Sequence, residues 1–93
     1  MDSDRYRLQI WYGGHVQGVG FRFKAAQIAK GYDVSGFVRN LDDGRVHLAA
    51  VGDPKEVREF VSELSRIMSD FIRSADEKED KTSAKYAGFN IEL

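Results

Sequence analysis

Apolar residues recur with two different periods along this 93-residue chain, and the switch between them marks out the elements. From Arg7 to Tyr12 the period is two: Leu8, Ile10 and Tyr12 share one face of a strand, with Gln9 opposite. Next comes the loop Gly13-Gly14-His15-Val16-Gln17-Gly18-Val19-Gly20. Beyond it Phe21, Ala25, Ile28 and Ala29 fall at helical spacing, and Lys30-Gly31 predicts the stop. Val34 to Leu41 reads as a second strand and Arg45 to Val51 as a third. Between them Leu41-Asp42-Asp43-Gly44 is a tight turn, and its Asp-Gly end is a strong hairpin signal.

The second helix carries the fullest set of start signals. Asp53 fits the N-cap, Pro54 the first helical position, and Glu56 stands three after the cap. Val57, Phe60, Val61, Leu64, Ile67 and Met68 then follow at core-facing spacing. From about Phe71 to Lys81 the pattern turns alternating and charged, which predicts a strand exposed on one face. Ala87 to Leu93 reads as a short last strand carrying Phe89, Ile91 and Leu93.

The order β-α-β-β-α-β with one extra terminal strand predicts an α+β fold of the split βαβ kind. It is expected to form a single domain over residues 1–93, with two helices on one face of a mostly antiparallel sheet. The helix joining the first two strands makes them parallel, with a right-handed crossover. Their C-terminal ends then lie at one edge of the domain. The glycine-rich loop leaves the first strand there, and Asn40 leaves the second there.

Composition narrows the function. Lys plus Arg is 14 and Asp plus Glu is 15, so the net charge of 14 − 15 = −1 argues against a broad nucleic-acid contact. The absence of Cys removes disulfides, thiolate zinc sites and thiol nucleophiles together. No apolar run approaches the roughly 20 residues of a membrane span, and Met1-Asp2-Ser3-Asp4-Arg5 lacks the apolar core of a signal peptide. A cytoplasmic protein without a membrane partner is the expectation. Glycine is crowded: four of the nine glycines fall between Gly13 and Gly20.

The helix after those glycines is short of a cap. Gly18-Val19-Gly20-Phe21 offers no Ser, Thr, Asp or Asn to accept from the first-turn N–H groups. Arg22 and Lys24 add positive charge where the helix dipole is already positive. A phosphate-like anion would take up the donors, the dipole and a bidentate arginine together. A glycine-rich turn alone is weak evidence, and this one matches neither the Walker pattern nor the dinucleotide fingerprint. Asn40 alone reads as a turn former. Beside the loop, its amide suits holding a water in line with a bound phosphoryl group.

Two stretches resemble a known family. Gly14-His15-Val16-Gln17-Gly18-Val19-Gly20-Phe21-Arg22 resembles the loop signature of the acylphosphatases. Gly36-Phe37-Val38-Arg39-Asn40-Leu41-Asp42-Asp43-Gly44-Arg45-Val46, with Gly52 beyond it, resembles their second signature. The resemblance runs from the first strand to Phe89 and implies a ferredoxin-like α/β sandwich that hydrolyses acyl phosphates without cofactor or metal. It implies that Arg22 binds phosphate, that Asn40 orients the attacking water, and that backbone N–H groups of Gln17, Gly18, Val19, Gly20 and Phe21 surround the phosphate. Its partners would be an acyl phosphate and inorganic phosphate, met by a monomer. Tyr12 departs from the family pattern, where an aliphatic residue is usual. Ser65-Arg66-Ile67-Met68 replaces a frequent Gly-Pro stretch, and Leu93 replaces a frequent terminal aromatic.

The remaining polar residues receive structural readings. His47 reads as a strand surface residue, and His15 as a loop residue with possible access to phosphate. Asp76, Glu77, Glu79 and Asp80 read as a solvated charged strand rather than a metal site, and Trp11 and Tyr12 as sheet packing. Two competing functions stay in view. One is a non-catalytic anion-binding or partner module, which would bind phosphate without hydrolysis. The other is a single-stranded RNA binder, which the absence of aromatics between Arg45 and Val51 disfavours.

Overall fold

The computed structural model describes residues 4–93; Met1 to Ser3 of the polar start lie outside the described residues. The elements are β1 (Arg5–Gly14), α1 (Phe21–Ala29), β2 (Val34–Asn40), β3 (Val46–Gly52), α2 (Pro54–Ile67), β4 (Ile72–Thr82) and β5 (Phe89–Glu92). They form the expected split βαβ fold, with the sheet order β4-β1-β3-β2-β5. Every strand pairing is antiparallel except β2 with β5. β1 and β2 both pair antiparallel with β3, so they run parallel to each other across it.

The period-two pattern places the core. Leu8, Ile10 and Tyr12 of β1, Val38 of β2 and Val46, Leu48 and Ala50 of β3 form one apolar sheet face. Phe21, Ala25 and Ala29 of α1 cover it, together with Val57, Phe60, Val61 and Leu64 of α2. Removing a side chain such as Phe60 or Leu64 from water contributes about 1.5–3 kcal/mol. This interior holds the C-terminal ends of β1 and β2 in fixed relation.

Four local expectations are corrected. β1 runs on through Gly13 and Gly14, because β4 pairs with both and a bulge at Gly14 absorbs the register shift. β4 is exposed on both faces over most of its length, as an outer strand whose helix-side acids meet Arg58 of α2 instead of apolar cover. Asp53 occupies the N-cap of α2, yet its side chain makes no capping bond. Glu56 Oε1 instead accepts from the Asp33 backbone N–H at 2.8 Å, which fastens the approach to β2 onto α2. Ile67 is 39% exposed, since α2 ends there and Met68 takes the core position instead.

Candidate active site

The loop from His15 to Gly20 is anchored before it presents anything. Val16 is wholly buried and plugs the loop into the core. The His15 N–H donates to the Phe71 carbonyl at 2.9 Å, tying the loop's start to the segment before β4. Gln17 Nε2 donates to the carbonyls of Leu41 at 2.8 Å and Arg45 at 2.9 Å. Both acceptors flank the turn between β2 and β3, so one side chain clamps the loop against the end of the strand that carries Asn40. The expected proximity of two segments distant in sequence is therefore observed.

Beyond the Gln17 clamp the chain enters an uncapped helix start. Gly20 occupies the N-cap of α1 in left-handed geometry (φ 80°), no side chain caps the helix, and no acidic residue stands in its first turn. Gly18 is also left-handed at φ 78°. The protein leaves open space around both positions, so glycine supplies backbone conformation here. Early N–H groups of a helix lack partners within it, and the dipole adds partial positive charge.

Gly18, Gly20, Phe21, Arg22 and Asn40 line one open cavity of about 200 Å³, together with Val16, Phe23, Ile91 and Leu93. Arg22 is its one lining residue with an ionisable side chain. The ion pairs found among the described residues use Arg7, Arg45 and Arg58, and leave the Arg22 guanidinium to the cavity. Gln17 and Val19 are not among the lining residues: the first is committed to its clamp, and the second packs against the core. His15 is exposed outside the cavity, with its ring centroid 6.5 Å from that of Phe71.

Sequence reasoning missed Phe23, Ile91 and Leu93. Faint signals existed. Phe21 and Phe23, two apart on a helix, project to different sides, so the core takes only one of them. In β5, alternation from the anchored Phe89 carries Ile91 and then Leu93 along the same face toward the cavity.

His47 corrects another expectation. It lies on the sheet face away from the helices, yet it is only 5% exposed, because neighbouring strands cover it. Trp11 stacks on its ring at 4.7 Å and 6°, and Phe37 meets it edge-on at 5.2 Å. Arg39 Nε donates to Nδ1 at 3.2 Å, and Nε2 lies 2.9 Å from Gln9 Oε1. That network assigns a neutral ring with its proton on Nε2. Burial, with the Arg39 and Arg45 charges, pushes the His47 pKa down to about 4.

A depressed histidine pKa makes stability fall in acid. Between its ordinary 6.5 and about 4, the unfolded imidazole holds a proton that the folded ring refuses. The stabilisation is complete above 6.5 and is lost as pH falls toward 4. Full conversion of such a shift gives about 3 kcal/mol, and screening by solvent reduces the expected contribution to about 1–2 kcal/mol. Denaturant midpoints at about pH 7 and about pH 4.5 should show the stability gap between wild type and His47→Gln narrowing by that amount in acid. A gap independent of pH would contradict a buried neutral ring.

Several other titratable groups have structural partners. Arg7 pairs with Asp80 at 2.6 Å, and Arg58 bridges Glu77 at 2.9 Å and Glu79 at 2.7 Å. The Arg7 pair holds the Asp80 carboxyl below its usual range, and the Tyr6 hydroxyl together with Arg58 does the same for Glu79. Among the described residues no cluster of His, Asp or Glu could hold a metal ion. No helix of the described residues is long and apolar enough to cross a membrane.

Fold and site together define a class: a small α+β protein of the split βαβ kind, with an uncapped helix, an arginine and an amide at one cavity. The family model for acylphosphatase matches residues 8–91, and the chain belongs to the acylphosphatase family. It is 37% identical over 84 residues to an acylphosphatase of Thermotoga petrophila, covering 90% of this chain and 93% of that protein. The crystal structure of acylphosphatase from Bacillus subtilis superposes with a TM-score of 0.84 at 27% identity, covering 95% of this chain and 99% of that one. Full-length HypF in its phosphate- and nucleotide-bound form contains a similar unit, with a TM-score of 0.75 at 26% identity. That match covers 97% of this chain and 12% of HypF.

Proposed function

We propose that the chain hydrolyses acyl phosphates to a carboxylate and inorganic phosphate at the cavity lined by Gly18, Gly20, Phe21, Arg22 and Asn40. One observation carries the reading: the uncapped start of α1 and Arg22 share their cavity with Asn40, which ends β2. In this reading backbone N–H groups of the loop from Gln17 to Phe21, of which Gly18, Gly20 and Phe21 line the cavity, and the Arg22 guanidinium bind the phosphoryl oxygens. The Asn40 amide holds a water on the side of phosphorus opposite the leaving carboxylate. Water oxygen bonds to phosphorus, the bond from phosphorus to the carboxylate oxygen breaks, and the electron pair leaves with the carboxylate. The dianionic acyl phosphate and water give the carboxylate and dihydrogen phosphate, so atoms and charge balance.

The chemistry asks little else of the protein. A carboxylate is a weak base and leaves without prior protonation. Developing negative charge on the phosphoryl oxygens is what needs stabilising, and donors fixed in advance do that. Among the described residues no His, Asp or Glu lines the cavity to serve as a general base, in keeping with an activated substrate. The reading includes a cofactor-free, cytoplasmic monomer without nucleic-acid or membrane partners. The second reading is a non-catalytic anion-binding or partner module, since a similar unit also stands within the larger HypF chain, where it spans 12% of the length.

Turnover of benzoyl phosphate in ¹⁸O-labelled water separates the two. The proposal expects rapid hydrolysis with the label in inorganic phosphate. Label in benzoate, or phosphate binding without turnover, would overturn it.

A further inference from the structure

The cavity has a second chemical character beside its positive one. Four large apolar residues stand exposed among the described residues: Phe23 at 67%, Ile67 at 39%, Ile91 at 40% and Leu93 fully. Three of the four, Phe23, Ile91 and Leu93, line the cavity that also holds Arg22 and Asn40. Scattered apolar residues on a surface need no explanation, but their convergence on one concave site does.

Their placement follows from the elements. Phe23 stands in the first turn of α1, two residues after the buried Phe21 and one after Arg22. On β5, Phe89 anchors the strand by meeting Phe60 edge-on at 5.2 Å. Parallel pairing sets Ile91 opposite Val38 and Glu92 opposite Arg39, one step short of Asn40. Period two then puts Ile91, and after it Leu93, on the helix side of the sheet beside the cavity. The apolar rim thus joins the first turn of α1 to the end of β5, next to the proposed phosphoryl site.

An acyl phosphate has two ends, and the apolar rim fits the acyl one. With the phosphoryl group at Arg22 and the loop, the acyl group meets Phe23, Ile91 and Leu93. Among the described residues no acidic or lysine side chain lines that surface to pair with a charged acyl group. Resting on the proposed hydrolysis, we infer that this rim selects acyl phosphates with extended aliphatic or aromatic acyl groups over short or charged ones. Phe23 is its main specificity-determining residue. Apolar contact with the acyl group removes both surfaces from water, and each added methylene increases that gain.

The test is a chain-length series: acetyl, butanoyl and hexanoyl phosphate, whose carboxylate leaving groups have nearly equal basicity. Wild-type kcat/KM should rise about two- to fourfold per added methylene until the rim is covered. In Phe23→Ser the hexanoyl-to-acetyl ratio should fall on the order of tenfold, mainly through KM, and Phe23→Leu should restore most of it. Because Phe23 is exposed, an unchanged melting temperature is expected and checks the fold. Hydrolysis with no dependence on chain length, or a ratio that Phe23→Ser leaves unaltered, overturns this inference alone. Hydrolysis of no acyl phosphate by the wild type overturns the proposed function and this inference with it. A dimer that Phe23→Ser dissolves, seen by sedimentation, would make the rim a self-association surface and overturn the inference too.

Discussion

Arg22→Ala is expected to lower kcat/KM for benzoyl phosphate on the order of 10³-fold, equivalent to about 4 kcal/mol of lost transition-state stabilisation. Arg22 is the one residue with an ionisable side chain lining the cavity, so no second cationic side chain there compensates for its loss. Its guanidinium offers paired donors in a planar fork, which matches two oxygens of one phosphoryl group. Arg22→Lys should therefore recover only part of the loss, because an ammonium restores the charge without the fork. The side chain is half-buried on an otherwise well-anchored helix, so the melting temperature should change little. Comparable turnover in wild type and Arg22→Ala would contradict the assignment.

Asn40→Ala should lose on the order of 10²–10³ in kcat with KM close to wild type. The split between the two constants is the informative part. A group that only holds the attacking water contributes at the transition state and leaves ground-state binding alone. Asn40 is set by β2, which pairs with β3 on one side and β5 on the other. Gln17 locks the adjacent turn carbonyls to the loop. The position of Asn40 is thus fixed by backbone, and removal of the amide should not move the phosphoryl site. Asn40→Asp is a sharper variant, since an added negative charge facing a bound phosphate should raise KM as well. An Asn40→Ala enzyme that fails in KM alone would place Asn40 in phosphate binding instead.

The main frame of the fold was legible because local rules agree along the chain. Leu8, Ile10 and Tyr12 alternate as a half-buried strand should, and Pro54 starts its helix as proline does. The cavity that Arg22 and the loop share with Asn40 was legible for the opposite reason. The first helix breaks capping and charge rules together, and such breaks concentrate where function is placed. The hidden features depend on contacts between strands distant in sequence. His47 reads as a surface residue on its own strand, but Trp11 and Phe37, with Gln9 and Arg39, cover it from the flanking strands. Glu56 reads as a capping residue, yet a backbone N–H at Asp33 is the partner that tertiary structure supplies.

Two departures from the family pattern explain each other in the same way. Tyr12 brings a hydroxyl into the core, and its oxygen lies 3.3 Å from Ser65 Oγ. Burial pushes the Tyr12 pKa up to about 12, so the phenol stays neutral and needs only this one partner. Ser65 belongs to the stretch that replaces the frequent Gly-Pro pair. Neither residue lines the cavity, so changes at these positions leave its lining unaltered.

The proposed reaction is divided between two side chains, and binding of inorganic phosphate separates their roles most directly. Calorimetric titration should give wild type and Asn40→Ala similar dissociation constants. Arg22→Ala should bind phosphate at least about tenfold more weakly, from the loss of a charge-assisted pair. Equal phosphate affinity in wild type and Arg22→Ala would contradict the claim that this loop and its arginine form the phosphoryl site.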